Sequence, residues 1–161
     1  AVEEDLLDCK RVSQIGIRVG YSPDDWEKSR NLGFRIVPAR ECWHRSLEGL
    51  MDEIRKQVGD APVYISFDID ALDTSIAPGT GTPEPGGLTS IQAYEIIRGS
   101  RGLNIVGGDL VEVSPPYDPL GTTALVGANI LYEMLCVMPG VKYRPMHTPA
   151  KHPDRTWGVT W

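Results

Sequence analysis

Two aspartates, Asp68 and Asp70, stand two residues apart behind an apolar alternating run, Val63-Tyr64-Ile65-Ser66-Phe67. On an extended strand such a pair projects to one side. The sequence therefore predicts both carboxylates together at the carboxyl end of a strand, where α/β sheets gather their sites. Carboxylates held that close repel unless a metal, a proton or a basic side chain lies between them. From the residues alone three uses stay open: metal coordination, glycosidase-type acid/base work, and turn-capping or pairing with arginines. Asp73, just before Thr74-Ser75, suits an Asx-turn that shapes the following loop.

Glu112, in Gly107-Gly108-Asp109-Leu110-Val111-Glu112-Val113, is the other candidate. It precedes Pro115-Pro116 at a second strand end. Beside a metal site it would suit a cationic substrate, because a carboxylate pairs with a planar guanidinium through two parallel charge-assisted hydrogen bonds. A carboxylate merely exposed at a sheet edge is the competing reading. Strict alternation would turn Asp109 and Glu112 to opposite sides. The histidines, His44, His147 and His152, have no second ligand at recognisable spacing and read as lone structural residues. Gly79-Thr80-Gly81-Thr82 lacks the lysine of a phosphate loop, and Gly107-Gly108-Asp109 lacks dinucleotide spacing.

The elements that must position these side chains follow from periodicity and punctuation. A strand-like run, Val12 to Val19, is broken at Gly20-Tyr21-Ser22-Pro23. Ser22 should cap a helix that has Pro23 in its first turn and stops at Gly33. Phe34 to Val37 reads as a short strand. Leu47, Leu50, Met51, Ile54 and Val58 form one face of a helix begun near Ser46, and Gly59 to Pro62 turns the chain into the acidic strand. Pro78, Gly79, Gly81, Pro83, Pro85, Gly86 and Gly87 exclude regular structure and predict a long shaped loop over the strand end. Thr89 or Ser90 should cap a helix from Ile91 to Arg98, with Ile91, Tyr94, Glu95 and Arg98 covering the sheet. Leu103 opens a further strand, and Gly121 to Met138 a long apolar helix. This alternation is that of an α/β protein with a mostly parallel sheet, whose central strands should be buried on both faces. Residues 1–141 form the expected domain and 142–161 a Pro-rich arm, which Trp157 and Trp161 could pin to the body or to a neighbouring subunit.

At 161 residues the chain is long enough for one real core, and 41% hydrophobic with 24% charged residues is a globular composition. A formal charge of −6 with no basic cluster argues against a nucleic-acid partner, and no apolar run is long enough for a membrane span. Cys9, Cys42 and Cys136 lack metal-ligand spacing and read as reduced, mostly buried thiols of an intracellular protein.

With these motifs the chain resembles the ureohydrolase family, the arginases and agmatinases, and most closely its agmatinase-like branch. The resemblance rests on SFDIDALDTSIAPGTGTPEPGGLT at Ser66 to Thr89, on GGDLVEVSPPYD at Gly107 to Asp118, and on the linking IGIR, GFRIV and ECWHRSL stretches. It covers roughly Leu6 to Val141. It implies a three-layer α/β/α fold and a binuclear manganese (Mn2+) centre, at which a hydroxide held between the metals attacks a guanidinium carbon and a tetrahedral intermediate releases urea and an amine. Matched to the family's motifs, Asp68 corresponds to a carboxylate bridging both metals, Asp70 to a ligand of one, and Glu112 to the acid that grips the guanidinium.

Two family motifs, a Gly-Gly-Asp-His type and an Asp-Ala-His-x-Asp type, have no counterpart here, nor does the proton-shuttling histidine, and Thr74 stands where the family usually has proline. The chain is therefore expected to be the carboxyl-terminal half of a ureohydrolase, inactive and poor at binding manganese by itself. The expected partners are the amino-terminal half or a complementary chain, further copies in a homo-oligomer, and a small guanidino substrate. Agmatine, giving putrescine, leads as that substrate, with a guanidino acid such as 4-guanidinobutyrate as the alternative. A catalytically inactive homologue or structural partner of a related chain is the different-class alternative. A cytoplasmic location is expected, with a mitochondrial one also compatible.

Overall fold

Capping chemistry sets where the helices begin. Ser22 Oγ accepts a hydrogen bond from the Asp25 amide at 3.2 Å, and the Asp25 carboxylate accepts one from the Ser22 amide at 3.2 Å, so a capping box opens α1, Pro23–Asn31. The same device, Thr89 with Gln92, opens the helix Ser90–Gly99. The computed structural model describes residues 1–18 and 22–142. The expectations for Val19 to Tyr21, and for the arm from residue 143 with His147, His152, Trp157 and Trp161, lie outside the described residues.

Strand β1, Ser13–Ile17, pairs in parallel with β2, Arg35–Pro38, across α1. A single helical turn, α2, Ala39–Cys42, follows without having been anticipated. Helix α3, Glu48–Val58, buries Leu50, Met51, Ile54 and Val58, as its period requires. Strand β3, Val63–Asp68, pairs in parallel with β4, Ile105–Val111, and α4, Ser90–Gly99, lies between them in sequence. Helix α5, Thr122–Val137, closes the described chain. The core joins residues of α3, α4 and α5 to Phe67, Ile69, Leu72 and Leu88 beneath the acidic strand end.

Parallel strands joined through helices make this the α/β architecture expected, but three details differ. Within the described residues the strands form two separate pairs, β1-β2 and β3-β4, rather than one sheet. One face of the second pair is bare, with Tyr64 60% and Val106 61% exposed, so its strands are not buried on both sides. In α4 the buried residues are Gln92, Ala93 and Ile97, whereas Ile91 is 69% exposed, so packing on α3 and α5 selects a different face from the expected one. The cysteines form no disulfide among the described residues, and of the three Cys42 is buried while Cys9 and Cys136 are half-buried. No helix among the described residues is long and apolar enough to cross a membrane.

Candidate active site

Asp68 is the last residue of β3, and there the strand ends. Its Oδ1 accepts a hydrogen bond from the Asp70 amide at 2.8 Å and caps a 3-10 turn, Ile69–Ala71. Asp70 is thus on the turn, and the strand-borne pair expected from an i,i+2 spacing is not what forms. The fully buried Ile69 pins the turn into the core. Both Asp70 carboxylate oxygens accept hydrogen bonds from the loop, one from Thr80 Oγ1 and one from Thr82 Oγ1. These contacts realise part of the turn-capping reading, and they also orient the two carboxylates.

The Asp68 carboxyl pKa is raised, first by the loss of solvent around it and then by the charges of Asp70 and Glu112, against the lowering effects of the Asp70 amide and of Arg18. The β3–β4 register, with Asp68 opposite Val111, brings Glu112 to the strand end that Asp68 and the Asp70 turn occupy. Glu112 follows β4 directly, with φ at +67°, a left-handed conformation unusual for a residue with a side chain. Asp109 stays on the bare face of the sheet, accepting hydrogen bonds from Tyr64 Oη at 2.8 Å and Ser66 Oγ at 2.7 Å. Glu112 Oε2 stands 4.0 Å from where a Cβ on Gly81 would lie, so the loop passes close to the strand end.

Asp73 does what the Asx-turn reading requires and more. Its Oδ1 accepts from the Ser75 amide at 3.0 Å and from Ser75 Oγ, while Oδ2 accepts from the amides of Gly86 at 2.7 Å and Gly87 at 3.3 Å. Both ends of the Pro/Gly loop thus close on one carboxylate, and these hydrogen bonds lower its pKa to about 2. Trp43 Nε1 donates to the Gly86 carbonyl at 2.8 Å, which ties α2 to the same rim. His44 is exposed and has φ at +56°.

Sequence reasoning missed four contributors: Thr80, Thr82, Arg18 and Asp118. The threonines lie ten and twelve residues beyond Asp70, too far for any local rule to pair them with it. Asp118 accepts from the amides of Thr123 at 3.1 Å and Ala124 at 2.8 Å, starting α5 in place of a side chain at its N-cap Gly121. Its position ahead of Gly121-Thr122-Thr123 was the available signal.

Two carboxylates without thiolate or imidazole make a hard-oxygen donor set that fits a divalent cation such as manganese. They are a partial set. Among the described residues no cluster of three or more His, Cys, Asp or Glu side chains could hold a metal ion.

Comparison with known proteins places this geometry in context, since the description "Arginase family" matches residues 1–136. The chain belongs to the arginase family. It is 67% identical over 145 residues to a guanidinobutyrase of Pseudomonas aeruginosa, covering 89% of this chain and 46% of that protein. A mitochondrial agmatinase of Gallus gallus is 66% identical over 142 residues, covering 88% of this chain and 42% of that protein. The solved proclavaminate amidino hydrolase of Streptomyces clavuligerus superimposes with a TM-score of 0.78 at 43% identity, over 83% of this chain and 45% of that one. The arginase-like α/β fold is thereby established for the region present. This arginase-family chain spans less than half the length of these relatives, and the part matched is their carboxyl-terminal one.

Proposed function

We propose that this chain is part of a manganese-dependent amidinohydrolase that cleaves a linear guanidino compound, with agmatine the first candidate, to urea and an amine. The convergence of Asp68, Asp70 and Glu112 at the ends of β3 and β4, beneath a loop closed by Asp73, carries this reading. Asp68 and Asp70 are the residues that would hold manganese, with further ligands supplied by other parts of the complete protein. Bound manganese would bring the pKa of water towards neutrality and so supply the nucleophile. Thr80 and Thr82 keep the Asp70 carboxylate aimed while this happens. Glu112 accepts two N–H groups of the substrate guanidinium and fixes its plane, which matters because a guanidinium is a poor electrophile and orientation must contribute much of the rate.

The agmatine reading is supported by the 66% identity to a protein named agmatinase. The guanidino-acid reading has its own support in the 67% identity to a protein named guanidinobutyrase. Urea release by the complete protein from agmatine and from 4-guanidinobutyrate, with manganese and after chelation, decides between them. We expect turnover with manganese only, and loss of most of it in Glu112→Gln with a raised KM. A metal-replete complete protein that releases no urea from agmatine, from 4-guanidinobutyrate or from a wider panel of guanidino compounds would favour the non-catalytic alternative instead. We further propose a homo-oligomeric complete enzyme and a cytoplasmic or mitochondrial location, the latter supported by the relative described as mitochondrial.

A further inference from the structure

Arg18 follows β1 and has no role in the proposed chemistry, yet its guanidinium reaches three segments of chain. Nη1 donates to the carbonyls of Ala71 at 3.0 Å and Gly16 at 3.4 Å. Nη2 donates to the carbonyl of Asp70 and to those of Glu84 at 3.3 Å and Leu72 at 3.4 Å. The end of β1, the turn carrying Asp70 and the outer limb of the Pro/Gly loop therefore meet on one planar group. Nε is buried and has no hydrogen-bond partner among the described residues. Among the described residues Arg18 enters none of the close ion pairs; its hydrogen bonds all go to backbone carbonyls, while its charge also acts on Asp68. Taking part of a cation out of water is costly, and a carbonyl cage offsets that only where the donors fit their acceptors.

We propose that Arg18 is the positioning residue of the acidic site, clamping the Asp70 turn to the loop and to β1 so that the Asp68 and Asp70 carboxylates keep their mutual aim. As a statement about the manganese site, this rests on the function proposed above. The clamp itself is independent of it. A lysine cannot take over: one ammonium offers three donors from a single point, whereas the guanidinium offers five from a rigid fork and spans carbonyls on separate segments. Holding the Asp70 carbonyl fixes the peptide that directs the Asp70 side chain towards Thr80 and Thr82. Holding Glu84 keeps the loop over the site. Arg98 provides a contrast, because its fork pairs with Glu133 between α4 and α5, away from the acidic site.

The test compares the complete protein with its Arg18→Lys, Arg18→Gln and Arg98→Lys variants. The amides of Asp70, bonded to Asp68 Oδ1, and of Leu88, bonded to the Ala71 carbonyl at 2.8 Å, report the geometry directly. Hydrogen exchange at these two amides should quicken at least tenfold in both Arg18 variants and stay unchanged in α3. Manganese affinity should weaken at least tenfold, with kcat falling and KM unchanged at saturating metal, since Glu112 still grips the substrate. Arg98→Lys should lower the melting temperature and leave both readouts alone. Unchanged exchange at Asp70 and Leu88, or exchange that rises equally throughout the molecule, would overturn the proposal. If the parent itself neither binds manganese nor releases urea, the functional reading fails, and the exchange data still decide the clamp. Should neither Arg18 variant fold, the parent answers: its Arg18 guanidinium should give separate, slowly exchanging Nη proton resonances, and a single averaged signal would overturn the clamp.

Discussion

Asp73 concentrates the clearest pH effect at a single residue. Its folded pKa of about 2 lies below the usual carboxylate value, the main causes being the Ser75 hydroxyl and amide, with Gly86 and Gly87 adding to them. A group with a depressed folded pKa contributes stability above its unfolded pKa and loses it as pH falls through the folded one. The loop anchor should therefore be fully present above about pH 4 and disappear towards about pH 2. Asp73→Asn, whose side chain does not titrate, should lower the melting temperature near neutral pH and flatten its decline across that window. A decline as steep as the parent's would place the acid sensitivity elsewhere. Gly87 tests the same anchor from the other side. A Cβ there would meet the Asp73 amide nitrogen and the Leu72 carbonyl carbon, each at 2.5 Å, and neither can yield as a side chain could. Gly87→Ala should cost about 1–3 kcal/mol in chemical denaturation. The Asx-turn at Asp73 was legible because Asp-Thr-Ser is a local pattern. Its grip on Gly86 and Gly87, like the bonds from Asp70 to Thr80 and Thr82, joins residues ten or more apart and carries no local signature.

Elements with strong local signals were the ones best read from sequence. Ser22-Pro23 ahead of acidic residues fixes the start of α1, and the spacing of Leu50, Met51, Ile54 and Val58 fixes the buried face of α3. Propensity and pattern act there over one or two turns, and tertiary contacts do not oppose them. The expected face of α4 failed because its apolar residues nearly encircle it: Ile91, Ala93, Ile96 and Ile97 leave several stripes open, and the choice falls to packing on α3 and α5. The Asp68-Asp70 pair was misplaced for a related reason. Its residue types were informative, but the switch from strand to 3-10 turn depends on Asp68 capping the chain that follows it. At this scale the capping box of α4 yields a direct expectation. Thr89→Ala removes the acceptor for the Gln92 amide and should cost about 1 kcal/mol. In a domain of this size that is a drop of roughly 2–4 °C in melting temperature. Leu88, which borders the cap, also carries the backbone bridge to Ala71, so frayed α4 should show first as faster exchange there.

The whole molecule presents surfaces that a finished arginase-family enzyme would have to cover. Among the described residues strands β1 and β3 are each paired on one side, with β2 and β4, and both line a cleft of about 1030 Å³ that Met51, Ile54 and Val58 of α3 also line. Unpaired strand edges beside apolar side chains invite other chains to pair with them. Helix α5 adds a bare apolar stripe, with Leu125 and Tyr132 each 65% and Leu135 66% exposed. Together these exceed the scattered apolar residues that a monomer normally shows. Meanwhile the acidic site has two hard-oxygen ligand candidates and no third among the described residues. The 161-residue chain alone should therefore elute above its monomer mass of 17.7 kDa at micromolar concentration, bind an apolar dye, hold manganese weakly and release no urea. Co-expression with the remainder of the complete protein should reverse all four observations together, because covering the cleft and completing the ligand set are one event if the covering segment carries the missing ligands. Reversal of self-association without recovery of manganese binding would separate the two and show that the cleft and the site are completed by different parts. A monomeric chain that binds two manganese ions tightly by itself would refute both expectations, and would require the remaining ligands to come from residues already in this sequence.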